Sequence, residues 1–331
     1  MRALQLVEYG RFELADLPVP GVAEDEVLVQ VRACGICGSD VHGMDGSTGR
    51  RIPPLVMGHE ASGEIAQVGA AVKSWQIGDR VTFDSTIFCG KCGYCERGEF
   101  NLCDNRQVVG VSCGDYRRNG AFAEFVVVPA RVLCRLPDGL TYERAAMVEP
   151  VSIAVHGVDR AHIKQGDRVA VIGAGMIGQL VIQVAKVRGA AEVIAIDIDS
   201  QKLERAALIG ADGVSSSSAG MELDVAIEAV GISETVEMAI RSVRKGGNVS
   251  LVGNLSPNVS LPLQVAVTRE LSIYGSCGSQ NDYAESLELI ASGAVQVDSM
   301  ISARIALEEA ASYFDRLYRN EPGLMKVMVC P

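Results

Sequence analysis

The segment FCGKCGYCERGEFNLC, residues 88–103, carries four thiols: Cys89, Cys92 and Cys95 step by three, and Cys103 follows. Thiolates hold zinc in tetrahedral sets, and C-x2-C steps let one turn present several sulfurs to one ion. Gly90, Gly93 and Gly98 supply the backbone freedom such a loop needs. With cysteine at all four positions the coordination sphere is closed, so the spacing predicts a structural zinc that does no chemistry. Four unrelated reduced thiols are the ordinary alternative, and their density speaks against it. An open site needs a mixed set, and three other phrases contain one: Cys37, Ser39, Asp40 and His42 in CGICGSDVH, His59 and Glu60 in MGHE, and Glu149 in MVEP. One thiolate, one imidazole and one or two carboxylates make a zinc site with room for water or substrate. These spacings are long, and each residue also has a plain reading: Cys37 as a small core residue, His59 as a turn histidine, Glu149 as a surface acid.

A second constellation lies in VIGAGMIG, where Gly173, Gly175 and Gly178 fall at the junction of a strand and a helix. The first glycine permits the tight turn, the second lets the backbone approach a pyrophosphate, and the third lets helix and strand pack closely. The helix start at Met176 and Ile177 offers N–H groups to the anion. Asp197 ends the next strand, nineteen residues after Gly178, where a carboxylate accepts hydrogen bonds from the adenosine ribose. Asp199 is an alternative at the same strand end. Lys202 either reaches that ribose or is a solvated helix residue. A carboxylate here repels a 2′-phosphate, so the pattern predicts NAD rather than NADP.

The elements that must position these residues fall into two patterns. Up to about residue 150 the chain is a series of short β-branched runs punctuated by glycine, such as EVLVQVRAC (26–34), ASGEIAQVG (61–69), GDRVTF (78–83) and GAFAEFVVVPA (120–130). From about 152, strands and helices alternate: DRVAVIGAG, MIGQLVIQVAKVRG, EVIAIDID, SQKLERAALIG, DVAIEAVG, SETVEMAIRSVR, GNVSLVG and ELSIYGSCG. That alternation predicts a doubly wound parallel sheet. The last ~45 residues do not extend the series and are assigned back to the first domain, which makes the nucleotide domain an insertion.

At 331 residues the chain is long enough for two domains with separate cores. With 30 basic and 41 acidic residues its net charge is −11, which disfavours binding to nucleic acid. No stretch approaches the roughly 20 apolar residues of a membrane span. The chain reads as a soluble, cytoplasmic protein, where thiols stay reduced and dense cysteines point to metal.

GICGSDVH, MGHEASGEI, the four-cysteine loop, VEPVSIAVHG and VIGAGMIG, in this order, resemble the zinc-dependent medium-chain alcohol dehydrogenases. The sequence is most similar to their polyol branch, which includes sorbitol and galactitol-phosphate dehydrogenases, over essentially its whole length. The resemblance implies an α/β protein: a GroES-like β-rich catalytic domain (1–152 and 276–331) and an NAD-binding Rossmann domain (153–275), in a homodimer or homotetramer. Cys37, His59 and Glu60 resemble the catalytic zinc ligands, with Glu149 either binding the metal or holding its water. Asp40 resembles the acid that orients the ligand histidine. Ser39 and His42 match a proton relay that runs through the cofactor ribose to solvent. Backbone groups of SLVG (250–253), with Val252 and Gly253, and of GSCG (275–278), with Cys277, are expected around the nicotinamide. His156 and His162 are read as structural.

The implied reaction is reversible oxidation of a secondary alcohol to a ketone, with hydride passing to NAD. The substrate is a small molecule, a polyol or sugar derivative, and few aromatics (5%) suit a hydroxylated one. Arg117 and Arg118 resemble an arginine pair in galactitol-phosphate dehydrogenases: either one is a candidate clamp for an anionic group by paired hydrogen bonds, or both are solvated loop residues. L-Threonine 3-dehydrogenase and a general alcohol dehydrogenase are the rival enzymes, although the former typically has Asp-Pro where this chain has Glu149-Pro150. A non-catalytic NAD-binding zinc protein is the rival of another class. Two departures from the family stand out. The link between ALIGADGV and ELDVAIEAVG is too short for a full crossover helix, so a single turn or none is expected there. The longer substrate loops of classical alcohol dehydrogenases are also missing.

Overall fold

The computed structural model describes residues 1–331. The chain forms two compact units: Met1–Glu149 with Tyr283–Ala291 and Val297–Pro331, and Pro150–Asp282 with Ser292–Gln296.

The first unit is built on a seven-stranded sheet. Its order is Leu133–Arg135, Arg80–Phe83, Glu60–Val68, Glu26–Gly35, Lys326–Cys330 and Ile301–Ala306, with Phe125–Pro129 also pairing to Glu26–Gly35. Alternation explains the central strand: Val27, Val29, Val31 and Ala33 are buried, while Gln30 and Arg32 are not. Register then places the chemistry. Gly35 stands opposite Glu60 on one side, and Val329 and Met328 pair with Cys34 and Gly35 on the other. The helix Ala310–Tyr318 docks by Phe314, which meets Phe12 at 4.6 Å and Phe122 edge-on at 5.6 Å between ring centres. Such aromatic pairs add to the burial itself.

The second unit holds a six-stranded, all-parallel sheet in the order Gly213–Ser215, Glu192–Ile196, Arg168–Ile172, Leu223–Glu228, Val243–Leu251 and Ser272–Gly275. Helices Met176–Val187, Ser200–Leu208 and Ser233–Ser242 follow three of these strands, which is the doubly wound arrangement expected from the alternation. The short link behaves as its length predicts: residues 216–222 contain one turn and no helix. The connection closes because the strand before it, Gly213–Ser215, is only three residues long. Stepping across three strand spacings and back along so short a strand takes about 17 Å, within the reach of about 23 Å for seven extended residues.

Candidate metal centres and dinucleotide cradle

Cys89, Cys92, Cys95 and Cys103 converge, their sulfurs within 4.8 Å of one another. A one-turn helix, Gly93–Glu96, starts at Cys92 and carries Cys95, and a 3-10 turn, Phe100–Leu102, delivers Cys103. Gly90 and Gly98 adopt φ of +75° and +78°, the left-handed region where a side chain is strained. Backbone N–H groups aim at the sulfurs: Cys89 N donates to Cys103 Sγ at 3.2 Å. The N–H of Lys91 brings the Cys89 thiol down to about 6, while burial pushes Cys103 up to about 12. A loop that gathers four sulfurs and stabilises thiolate at its exposed end fits zinc.

The second cluster is Cys37, His59 and Glu60, one donor atom from each again within 4.8 Å. Cys37 caps a one-turn helix, Gly38–Val41, and its sulfur accepts from Ser39 N at 3.5 Å and from Ser39 Oγ at 3.3 Å. His59 and Glu60 arrive at the start of the strand Glu60–Val68. Behind His59 lies Asp40, fully buried, with Oδ2 3.4 Å from the imidazole Nδ1. That contact leaves the other ring nitrogen for a ligand. Burial alone would raise the Asp40 carboxyl, but His59 and Arg51 outweigh it and hold the group at about 2. His59 in turn is pushed well above its usual range: burial opposes the shift, and the negative charges of Asp40 and Cys37 override it. The pocket is therefore a strong trap for positive charge. A proton on His59 is what a metal ion would displace.

Glu60 is wholly buried. Its Oε2 accepts from Lys326 Nζ at 2.5 Å, and its Oε1 has no hydrogen-bond partner in the chain. Lys326 is equally buried and also donates to the Ile36 carbonyl at 3.1 Å. Gly35 makes the pairing possible, since a Cβ there would stand 2.2 Å from Glu60 Oε2. An orphaned buried oxygen beside a thiol and an imidazole fits a metal ligand, because a charged group with a free lone pair is otherwise costly to bury. Glu149 is not among the three converging donors. It stands close enough to them for loss of solvent, with repulsion from Glu60, to raise its carboxyl to about 7 against the pull of His59 and Lys326. Glu60 is thus the acid that the geometry brings to the trio, and Glu149 is its neighbour.

Ser39 and His42 are both exposed. Ser39 Oγ is tied to Cys37 and Arg51, and no hydrogen bond joins it to His42, so a relay between them needs an intermediate group such as the ribose. Arg117 and Arg118 do not converge on one point. Neighbours on a strand face opposite ways, and Arg117 donates to Ser112 Oγ and the Pro53 carbonyl while Arg118 lies 3.5 Å from Glu26.

In the second unit, Gly173 takes φ +94°, and a Cβ on Gly178 would sit 1.8 Å from the Gly173 carbonyl oxygen. Nothing lies within 4 Å of the Gly175 Cβ position, and no side chain caps the helix that begins at Met176. The space in front of Gly175 and the uncapped N–H groups at Met176 and Ile177 fit a dinucleotide pyrophosphate. Asp197 accepts from Ala174 N at 2.8 Å and from Asp199 N at 2.9 Å, so the carboxylate is fixed against the glycine-rich turn. Asp199 caps the next helix, its Oδ1 accepting from Gln201 N and Lys202 N; Asp197, bonded to the glycine-rich turn itself, stands at the strand end where the ribose acid is expected. The N–H groups of Val252 and Gly253 both donate to the Glu228 carbonyl. Any contact they make with a nicotinamide therefore falls to their carbonyls. Cys277 is exposed just beyond the last strand.

Sequence reasoning missed Arg51, Lys326 and Gly35. A lysine inside the apolar run GLMKVMVC was a usable signal, since a charge in a buried strand requires a partner. Nothing in GRRIPP marked Arg51.

Two domain families match the chain: the alcohol dehydrogenase GroES-like domain over residues 23–138 and the zinc-binding dehydrogenase domain over residues 177–292. Together they are the two parts of a zinc-binding dehydrogenase. Sorbitol dehydrogenase of Bacillus subtilis (strain 168) is 33% identical over 348 aligned positions, covering 100% of this chain and 97% of that one. Galactitol-1-phosphate dehydrogenase from Escherichia coli superposes with a TM-score of 0.92 at 30% identity over 100% of both chains. A Sinorhizobium meliloti 1021 protein described as a zinc-binding dehydrogenase and solved bound to NADP gives 0.90 at 34%, covering 100% of this chain and 99% of that one. The chain belongs to the zinc-dependent medium-chain alcohol dehydrogenases, in their polyol dehydrogenase branch.

Proposed function

We propose that this dehydrogenase oxidises a secondary alcohol of a polyol or sugar derivative to a ketone, with NAD as hydride acceptor. The observation that carries the reading is the convergence of Cys37, His59 and Glu60 over a buried Asp40. Cys37 and Glu60 supply two negative charges and His59 a neutral nitrogen, a donor set suited to zinc with one position open. Zinc held there supplies Lewis acidity, which lowers the pKa of an alcohol towards neutrality. The remaining work belongs to the chain. Asp40 orients His59, and Ser39 accepts the alcohol proton as it gives up its own, which leaves to solvent on the side where His42 is also exposed. The four-cysteine loop holds a second, structural zinc.

Gly173, Gly175 and Gly178 with the helix start seat the pyrophosphate, and Asp197 binds the adenosine ribose. Its carboxylate supports NAD over NADP, since a 2′-phosphate would meet a fixed negative charge. Related sorbitol, arabitol-phosphate and galactitol-phosphate dehydrogenases support a polyol or its phosphate as the substrate class. A homodimer or homotetramer is supported by Leu261, Leu263, Val267 and Ile273, exposed apolar residues on and before the edge strand Ser272–Gly275. No helix is long and apolar enough to cross a membrane. Ten cysteines, four of them gathered as metal-type ligands in one loop, support residence in a reducing compartment such as the cytoplasm.

The test is a panel of free polyols, sugar phosphates and sugar acids with zinc-replete protein, following NADH absorbance. Reduction of NAD by one class with NADP much slower is the expected result. No cofactor reduction with any member, in protein shown to hold two zinc ions, would overturn the proposal.

A further inference from the structure

Arg51 lies in a polar loop, yet it is only 4% exposed. Its Nε and Nη2 donate to one oxygen of Asp40, Oδ1, at 3.1 and 2.9 Å. The other oxygen of the same carboxylate faces His59 Nδ1. Nη2 also donates to Ser39 Oγ at 3.3 Å, and Nη1 to the Arg50 carbonyl at 3.0 Å. Gly43 leaves room for the stem, since a Cβ there would stand 2.6 Å from Arg51 Cγ and 2.8 Å from the Ser39 carbonyl oxygen. One guanidinium thus touches the carboxylate that orients a proposed zinc ligand and the hydroxyl proposed to take the substrate proton.

We infer that Arg51 is a positioning residue that couples the two: through Asp40 it sets His59 for the metal, and through Ser39 it sets the hydroxyl for proton transfer. A hydroxyl oxygen has two lone pairs and one proton. Arg51 fills one lone pair from the buried side, and the hydroxyl proton is within reach of Cys37 Sγ at 3.3 Å. The second lone pair is left to accept the alcohol proton, and the proton the hydroxyl already carries leaves in the same step to solvent, which this exposed side chain meets. The fork is needed for this double role, because an ammonium is a point charge that can hold Asp40 but cannot reproduce the planar reach to Ser39.

The inference rests on the proposed reading of Cys37, His59 and Glu60 as a zinc site, and the experiment separates the two. Zinc affinity at that site, by chelator competition in the full-length protein, is measured beside kcat and KM for Arg51→Lys, Arg51→Met, Ser39→Ala and Arg51→Lys/Ser39→Ala. Arg51→Lys is expected to hold zinc close to wild-type affinity while kcat falls about 10²-fold, as in Ser39→Ala, with KM little changed and the double variant no worse than either single one. Arg51→Met is expected to bind zinc about 10–100-fold more weakly. Because Arg51→Met strands a buried carboxylate and can unfold, Arg51→Lys and the double variant carry the proton limb independently. Wild-type turnover in Arg51→Lys, losses that add in full in the double variant, or unchanged zinc affinity in folded Arg51→Met would each overturn the inference. Wild-type protein with a single zinc and no dehydrogenation would instead overturn the underlying reading.

Discussion

The first and last of Cys89, Cys92, Cys95 and Cys103 are 14 positions apart in one loop, whereas Glu60 in the other cluster is held by a lysine 266 positions away. The loop gathers its donors by local turns and positive-φ glycines. The trio gathers its donors by sheet register, with Gly35 opposite Glu60, and by buried charges, with Lys326 against Glu60 and Arg51 against Asp40. The difference teaches how a closed site and an open site are made. Four like donors brought together by local turns would satisfy an ion without help from the core. Three unlike ligands with a vacant position must be held by the core, or the vacancy would be filled by rearrangement.

The largest effect should come from the trio itself. Cys37→Ser is expected to lower zinc from two ions to one per chain and to cost several kcal/mol of transition-state stabilisation, or about 10³-fold or more in kcat/KM. Metal analysis beside steady-state kinetics checks this, and a variant that keeps both ions and most of its activity would erase the distinction. Cys103→Ser should act the other way. The loop loses its ion, protease nicking rises within 88–103 and the thermal midpoint drops, while kcat of the remaining folded enzyme changes by only a few-fold. Collapse of activity with an intact Cys37 site would show that the loop takes part in the chemistry.

Asp197→Ala probes the cofactor side. It should weaken NAD roughly 10–150-fold and narrow the preference over NADP, since one charge-assisted contact of about 1.5–3 kcal/mol is removed. Inhibition constants for both dinucleotides check it. The smallest effect belongs to an ion pair outside both clusters, Asp79 with Arg135 at 2.7 Å. Hydrogen bonding from Arg135 holds the Asp79 carboxyl below its usual range in the folded chain. Its contribution to stability is therefore full above the ordinary carboxylate pKa of about 3.9 and fades as pH falls through the lowered folded value. Melting curves of wild type and Asp79→Asn should differ at neutral pH and converge in acid. A gap that widens in acid would reverse the assigned sign.

How much of this was legible in the sequence follows the same division. The four-cysteine loop could be read from spacing alone, because contact order there is short. Strands and helices of the second unit were legible because a 2-residue and a 3.6-residue period alternate in them, and Gly173, Gly175 and Gly178 carry a backbone requirement at a fixed interval. For the trio, residue types were visible but their meeting was supplied by family resemblance, since no local period ties Cys37 to His59. Neither MGHE nor MVEP shows which acid meets Cys37 and His59; that Glu60 lies with them follows from register against Gly35 and from the Lys326 side chain. Arg51 was illegible for a different reason. A basic residue in a polar turn is usually solvated, and only the missing Cβ of Gly43 and the buried face of Asp40 show that this one is not.

The Lys326–Glu60 pair has a consequence for the order in which the chain is made. During synthesis the cysteine loop is complete once residue 103 has emerged, while the ammonium that steadies Glu60 is made only after the entire second unit. Domains fold as units as they leave the ribosome, earliest parts first. Until that last strand is made, Glu60 has no Lys326 to accept from, whereas all four cysteines of the loop are already in the chain.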